Sequence, residues 1–166
     1  RQYAGKTVEA IKHVISVFGS LRLHDRVAIV VDKAILIAFR GTFLKGAYQG
    51  GLLNAELRVH FPRRESATKQ QIEDGHARSF QIIDATQAAS MVMGGSQDDR
   101  EWLIVDTVEA FDGLERLVVI AVGLDASIVQ GASTLKTRSL LYRAMTRAHM
   151  LAIVVQHNIP GGFFAF

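Results

Sequence analysis

Residues 102–122 read WLIVDTVEAFDGLERLVVIAV, and this stretch decides the fold. The runs Leu103 to Thr107, apolar through Val105, and Leu117 to Val122 carry apolar residues at consecutive rather than alternate positions, the pattern of strands covered on both faces. A polar segment with one glycine, Gly113, joins them. Working outward, Val27 to Val31 (VAIVV) and Leu151 to Val155 repeat the continuous apolar pattern, and Phe80 to Ile83 has strand character. Helical periodicity fills the intervals. Val8, Ile11, Val14, Ile15 and Phe18 share one face of a helix from Thr7 to Phe18, with Gly19 as its stop. Further helices are expected from Ala34 to about Tyr48, from Ala85 to Met93 and from about Thr137 to His149. Leu57 to Phe61 reads as a short strand, and Pro62 with the polar stretch Arg63 to Arg78 reads as an exposed excursion. Strands alternating with helices predict an α/β domain over 1–166, with a mainly parallel sheet flanked by helices on both faces.

The composition is that of an ordinary globular chain. Its 166 residues suffice for one substantial core, and it is 49% apolar and 21% charged. The formal charge of +3 permits a polyanionic partner without arguing for one. The absence of cysteine excludes a disulfide framework and a thiolate metal site, and fits an intracellular protein of the cytoplasm or nucleus. Charged residues interrupt every apolar stretch before the eighteen or so residues that would span a bilayer, so no membrane is expected as a partner. The chain begins at Arg1 without a signal-peptide layout and ends GGFFAF, which we read as a fragment of a longer chain.

A second segment, Tyr142 to Ala148 (YRAMTRA), follows about thirty residues after Glu115. On a helix from Thr137, Leu140, Leu141, Ala144, Met145 and Ala148 would form the packed stripe. Arg143 and Arg147 would then share the opposite side at i, i+4 spacing. In open parallel sheets ligands bind beyond the carboxyl ends of strands. Thr107 ends one strand, and Gly113 lets a backbone N–H approach a phosphate or sugar with no Cβ in the way.

Together the two segments resemble superfamily 1 helicases and translocases, specifically the closing part of their second RecA-like domain, with its three-layer sheet of the P-loop NTPase type. There a strand leads into T-x-x-x-x-[KQ]-G-x-E, and a later helix carries [YN]-V-A-x-T-R-A before a final strand. Thr107, Gly113 and Glu115 match the first pattern; Tyr142, Ala144, Thr146, Arg147 and Ala148 match the second. The likeness is strong over residues 102–156 and faint before them. Asp112 stands where these families have Lys or Gln, Glu109 where the UvrD-like branch has His, and Arg143 where Val is usual. The resemblance implies a nucleic-acid-dependent ATP hydrolase whose site closes between two RecA-like domains. Arg147 would be the arginine finger on the γ-phosphate, Glu115 the carboxylate accepting from the ribose hydroxyls, Gly113 a backbone neighbour of the nucleotide and Arg143 a second phosphate contact. Thr107 and Thr146 would touch single-stranded DNA or RNA. ATP with Mg2+ would be held mainly by an N-terminal RecA-like domain of the same protein, so this chain alone would be inactive. The acidic replacements Asp112 and Glu109 keep a second reading open, a catalytically degenerate RecA-like module that binds or regulates.

Each of these residues also has a bland role. Arg147 can pair with Asp106 or Asp112, Glu115 can be solvated or cap a helix, and both threonines can satisfy local backbone groups. Gly5, Lys6 and Thr7 spell GKT before a helix, but no strand precedes them, and helix capping by Thr7 explains them more simply. Arg63, Arg64, Lys69 and Arg78 are interrupted by acids and lack interleaved aromatics, as in a solvated loop. The six histidines show no ligand spacing, and Asp32, Asp84 and Asp125 end strands without an accompanying nucleophile, so no metal site is expected.

Overall fold

The computed structural model describes residues 2–19, 22–24, 26–44, 47–94, 101–125 and 132–158, with side chains for all of these but 43, 44, 47–49, 92–94 and 132–138. In chain order the elements are α1 (Gln2–Val17), β1 (Val27–Val31), α2 (Lys33–Arg40), β2 (Thr42–Leu44), β3 (Ala47–Gln49) and α3 (Leu52–His60). Then come α4 (Lys69–Glu73), β4 (Phe80–Ile83), α5 (Ala85–Gly94), β5 (Glu101–Thr107), β6 (Arg116–Val122), α6 (Ala132–Met145) and β7 (Ala148–Val155).

Five strands form one sheet in the order β4-β5-β1-β6-β7, and every pairing in it is parallel. The continuous apolar runs are explained by what covers them. On one face Val27, Ile29 and Val31 of β1, with Leu103, Val105, Val118 and Ile120, pack under α1, Phe39 of α2 and Leu53 and Leu57 of α3. On the other face Ala28, Val30, Ile104 and Val119 meet Ala88 of α5, Leu141 and Ala144 of α6, and Val108 and Phe111 of the β5–β6 connection. All five residues of β1 are buried, because a central strand with helices on both sides has no solvent face. The result is a three-layer α/β arrangement of the RecA-like type, as the sequence predicts.

Four local expectations are corrected. Leu57 to Phe61 is not a strand but the last turn of α3 and its cap. Leu57, Val59 and Phe61 look alternating, yet Val59 is 68% exposed while Leu53, Leu57 and Phe61, spaced by four, are buried. The helix expected to run to Tyr48 stops at Arg40. Gly41 adopts φ 70, ψ −151, and a Cβ there would lie 2.6 Å from the backbone of Gly50 and Gly51. The chain therefore reverses through the β2–β3 hairpin, whose strands pair antiparallel. The first helix begins at Gln2, so Gly5, Lys6 and Thr7 lie inside it, and Thr7 donates its hydroxyl to the Tyr3 carbonyl at 2.8 Å instead of capping an end. The last helix ends at Met145, so Arg147 lies in the turn before β7 and not on a helix face with Arg143.

Candidate functional site

The β5–β6 connection returns from the carboxyl end of one strand to the amino end of the next, so its residues divide between the two edges of the sheet. Val31 of β1 is level with both Thr107 and Val122. Val122 pairs with Val155, so Thr107 belongs to the carboxyl edge. Glu115 precedes Arg116, which pairs with Ala148 at the start of β7. The two ends are about 20 Å apart, at roughly 3.3 Å per residue along a strand. The expectation of a ligand beyond the carboxyl ends thus applies to Thr107, whereas Glu115 and Arg147 both lie at the amino edge.

There the backbone is tied first. The Arg116 N–H donates to the Arg147 carbonyl at 2.9 Å, and the Thr146 and Arg147 N–H groups donate back to Tyr142 and Ala144 at 3.0 and 3.2 Å. The helix thereby winds directly into the strand. From Arg116 to Val118 β6 advances two residues while β7 advances three, from Ala148 to Leu151, a bulge at the mouth of the site. Such an extra residue re-aims side chains at strand ends. His149, within it, places Nε2 2.8 Å from Glu115 Oε2.

The side chains form a mixed cluster. Arg147 Nη2 donates to Asp112 Oδ1 at 2.7 Å, and Arg143 Nη2 lies 3.5 Å from the same oxygen. Asp112 is 63% exposed at its side chain and Arg147 only 23%, so the carboxylate is the solvent-facing member. The Nε atoms of Arg147 and Arg116 are both buried without a partner among the described residues. Arg116 donates through Nη1 to the Glu115 carbonyl at 2.7 Å. Gly113, between Asp112 and Glu115, has φ 81 and nothing within 4 Å of a Cβ position. Its glycine identity is a matter of backbone conformation rather than of crowding. Three guanidinium groups, one imidazole and two carboxylates on one rim can hold an anion against the arginines and hydroxyl donors against Glu115.

Arg143 and Arg147, expected to be paired by helical spacing, are brought together by Asp112 instead. Arg116 and His149 were not singled out in the sequence. A residue flanking a motif and a histidine without ligand spacing give no signal until the register of β6 and β7 is known. Thr107 and Thr146 satisfy local groups: the Thr107 hydroxyl accepts from the Ala110 N–H at 3.4 Å, and the Thr146 hydroxyl donates to the Arg143 carbonyl at 3.0 Å.

At the carboxyl edge the strand-ending acids have structural partners. Asp32 accepts from the Ala34 N–H at 2.8 Å as the cap of α2. Asp84 accepts from the Gln87 N–H at 2.6 Å and caps α5. Asp125 accepts from Gln156 at 3.0 Å. Asp106, 2.8 Å from the Arg40 guanidinium, also accepts from the Ala85 N–H at 3.1 Å. Among the described residues no group of three or more His, Asp or Glu is arranged to hold a metal ion, and no helix is long and apolar enough to cross a membrane. The excursion after Pro62 is exposed at Arg63 and Arg64, but Arg78 turns inward to Glu101 at 3.2 Å. A cleft of about 390 Å³ opens between α1 and the end of β7, lined by Tyr3, Lys6, His13, Gln156 and His157 among others, with none of the motif residues in its wall. Neither the family models, the curated proteins nor the solved structures compared with this chain give a significant match.

Proposed function

We propose that this chain is the second RecA-like motor domain of a superfamily 1 ATP-dependent helicase or translocase. The observation that supports it best is the convergence of Glu115 and Arg147, 32 positions apart in the sequence, through the backbone bond between Arg116 and Arg147. In this reading ATP lies against the amino edge of β6 and β7, in a cleft completed by a preceding RecA-like domain, which also binds Mg2+. Arg147 meets the charge that grows on the transferring phosphoryl group, and its planar fork offers paired donors. Arg143 adds a second positive charge, Gly113 leaves space beside the sugar and Glu115 accepts from the ribose hydroxyls. Domain closure carries the opposite edge, with Thr107, along a single strand of DNA or RNA.

The test is nucleic-acid-stimulated ATP hydrolysis by the two-domain protein carrying R147A. Arginine fingers contribute about 10³ to 10⁵ in rate in related phosphoryl-transfer systems, so turnover is expected to fall at least a hundredfold or so with ATP binding largely kept. Unchanged turnover would remove Arg147 from this role.

The second reading, a RecA-like module that binds or regulates without turnover, draws on one specific contact. Asp112, in place of a basic or amide residue, neutralises Arg147. Under that reading the wild-type two-domain protein binds nucleotide but shows no stimulated turnover.

A further inference from the structure

The contacts of Asp112 are unlike those of a surface acid that happens to lie near one base. A single oxygen, Oδ1, is approached by two guanidinium groups, from Arg147 at 2.7 Å and Arg143 at 3.5 Å. These two arginines come from different elements, one from α6 and one from the turn after it, so the carboxylate holds the turn to the helix. The exposed partner is the acid and the sheltered one is the arginine, with side-chain exposures of 63% and 23%. Arg147 is also incompletely used, since its Nε is buried and finds no acceptor among the described residues. A buried unsatisfied donor calls for an explanation. One carboxylate oxygen can serve the terminal nitrogen of a guanidinium and leave Nε idle, whereas a phosphate with three oxygens can serve both nitrogens and a second arginine together.

We propose that Asp112 is an internal stand-in for the terminal phosphate of a nucleoside triphosphate. It neutralises Arg147 and Arg143 while the site is empty and is displaced when the phosphate arrives. This rests on the anion-binding reading of Arg147 given above. An exposed ion pair is a weak interaction, so the carboxylate yields to a group of higher charge that offers more acceptors. Asp112 lies in the β5–β6 connection, next to Gly113. The Asp112 side chain is 63% exposed, so its carboxylate can turn away into solvent when another anion takes the guanidinium groups. The consequence is a threshold: weakly charged anions do not release the arginines, and a triphosphate does.

The experiment is the affinity of the chain for inorganic tripolyphosphate, measured by calorimetry for wild type, D112N, D112E and R147A, with thermal melting as the control for folding. D112N removes the competing charge and is expected to tighten binding about five- to tenfold, the size of a surface ion pair plus one removed like-charge neighbour. D112E keeps the wild-type affinity, and R147A weakens binding in either background. If R147A weakens binding but D112N binds no better than wild type, Asp112 is not a stand-in, while the anion reading of Arg147 stands. If no form binds, or if R147A binds as well as wild type, no anion displaces Asp112 from Arg147 in this chain and the inference fails, while the role of Arg147 in turnover is decided separately by R147A in the two-domain protein. The same titration with a single-stranded oligonucleotide separates the sources of phosphate, and a gain confined to the oligonucleotide overturns the triphosphate assignment.

Discussion

The Arg116 N–H donates to the Arg147 carbonyl across 2.9 Å, and this one backbone bond sets the residue after Glu115 beside the arginine of the last turn. It is part of a sheet ladder, so the relative position of the two motifs is maintained by the pairing of β6 with β7 and not by flexible side chains. A rim defined in this way is preorganised, which is what binding a developing charge requires.

Glu115 is testable through the sugar. E115Q retains the shape of the side chain and removes its charge, and hydrogen bonds to charged acceptors are worth about 1.5–3 kcal/mol. We expect KM for ATP to rise roughly tenfold or more, following from that range, with a smaller change in kcat. The variant should also lose the preference of the wild-type protein for ATP over an analogue lacking the ribose hydroxyls. A fall in kcat with KM unchanged would place Glu115 elsewhere. Because His149 also engages Glu115 at 2.8 Å, H149A serves as the control for loss of that pair alone.

The Arg40–Asp106 pair is a buried charged contact within the fold. Arg40 and Asp106 are 9% and 8% exposed, and the guanidinium also donates to the Val105 carbonyl through Nε at 2.9 Å. Removing one partner leaves the other charge buried, at a cost of about 3–5 kcal/mol. R40A should lower the urea midpoint accordingly. Replacing both residues, R40M with D106L, should recover part of the loss.

Two glycines with positive φ should respond differently to alanine. At Gly41 the new Cβ would meet the Gly50 and Gly51 backbone at 2.6 Å, while at Gly113 it meets nothing within 4 Å. G113A therefore carries only the conformational term, about 1–2 kcal/mol. G41A adds displacement of packed backbone, and the sum should exceed about 3 kcal/mol. Equal melting temperatures for the two variants would contradict the close crossing at Gly41.

His76 makes stability sensitive to acid. Burial lowers its pKa from the ordinary imidazole value, helped by the charge of Lys12 and partly opposed by Asp74. With the native pKa below the unfolded one, the unfolded chain binds the proton more readily. Stability is thus fully present above about pH 6.5, the unfolded value, and is lost as pH falls through the lower native value. H76F, which keeps the edge-to-face contact with Phe61 at 5.4 Å between ring centroids, should show a shallower fall of melting temperature between pH 7.5 and pH 5 than wild type. Parallel curves would assign the acid sensitivity to other groups.

Much of this architecture is legible in the chain because a buried parallel strand must be apolar on both faces. Val27 to Val31 and Leu117 to Val122 read as strands on that ground and are strands. Where two periods compete the local pattern misleads. Leu57, Val59 and Phe61 fit an alternating strand, but burial selects Leu53, Leu57 and Phe61 on one helix face. Glycine tolerated in a helix and glycine demanded by a crossing look alike in sequence, so the local pattern does not mark the stop at Gly41.

What the sequence determined by itself is the class of fold and part of the rim, Glu115, Arg143 and Arg147, since apolar runs and motif spacing are properties of neighbours along the chain. Tertiary structure alone decided that Glu115 and Arg147 share the amino edge while Thr107 sits at the carboxyl edge, that Arg147 occupies a turn, and that Asp112 takes its guanidinium. Those relations depend on which strands pair and in what register. Pairing is set by long-range burial of the two cores, and that information is distributed over the whole chain rather than written in any one segment.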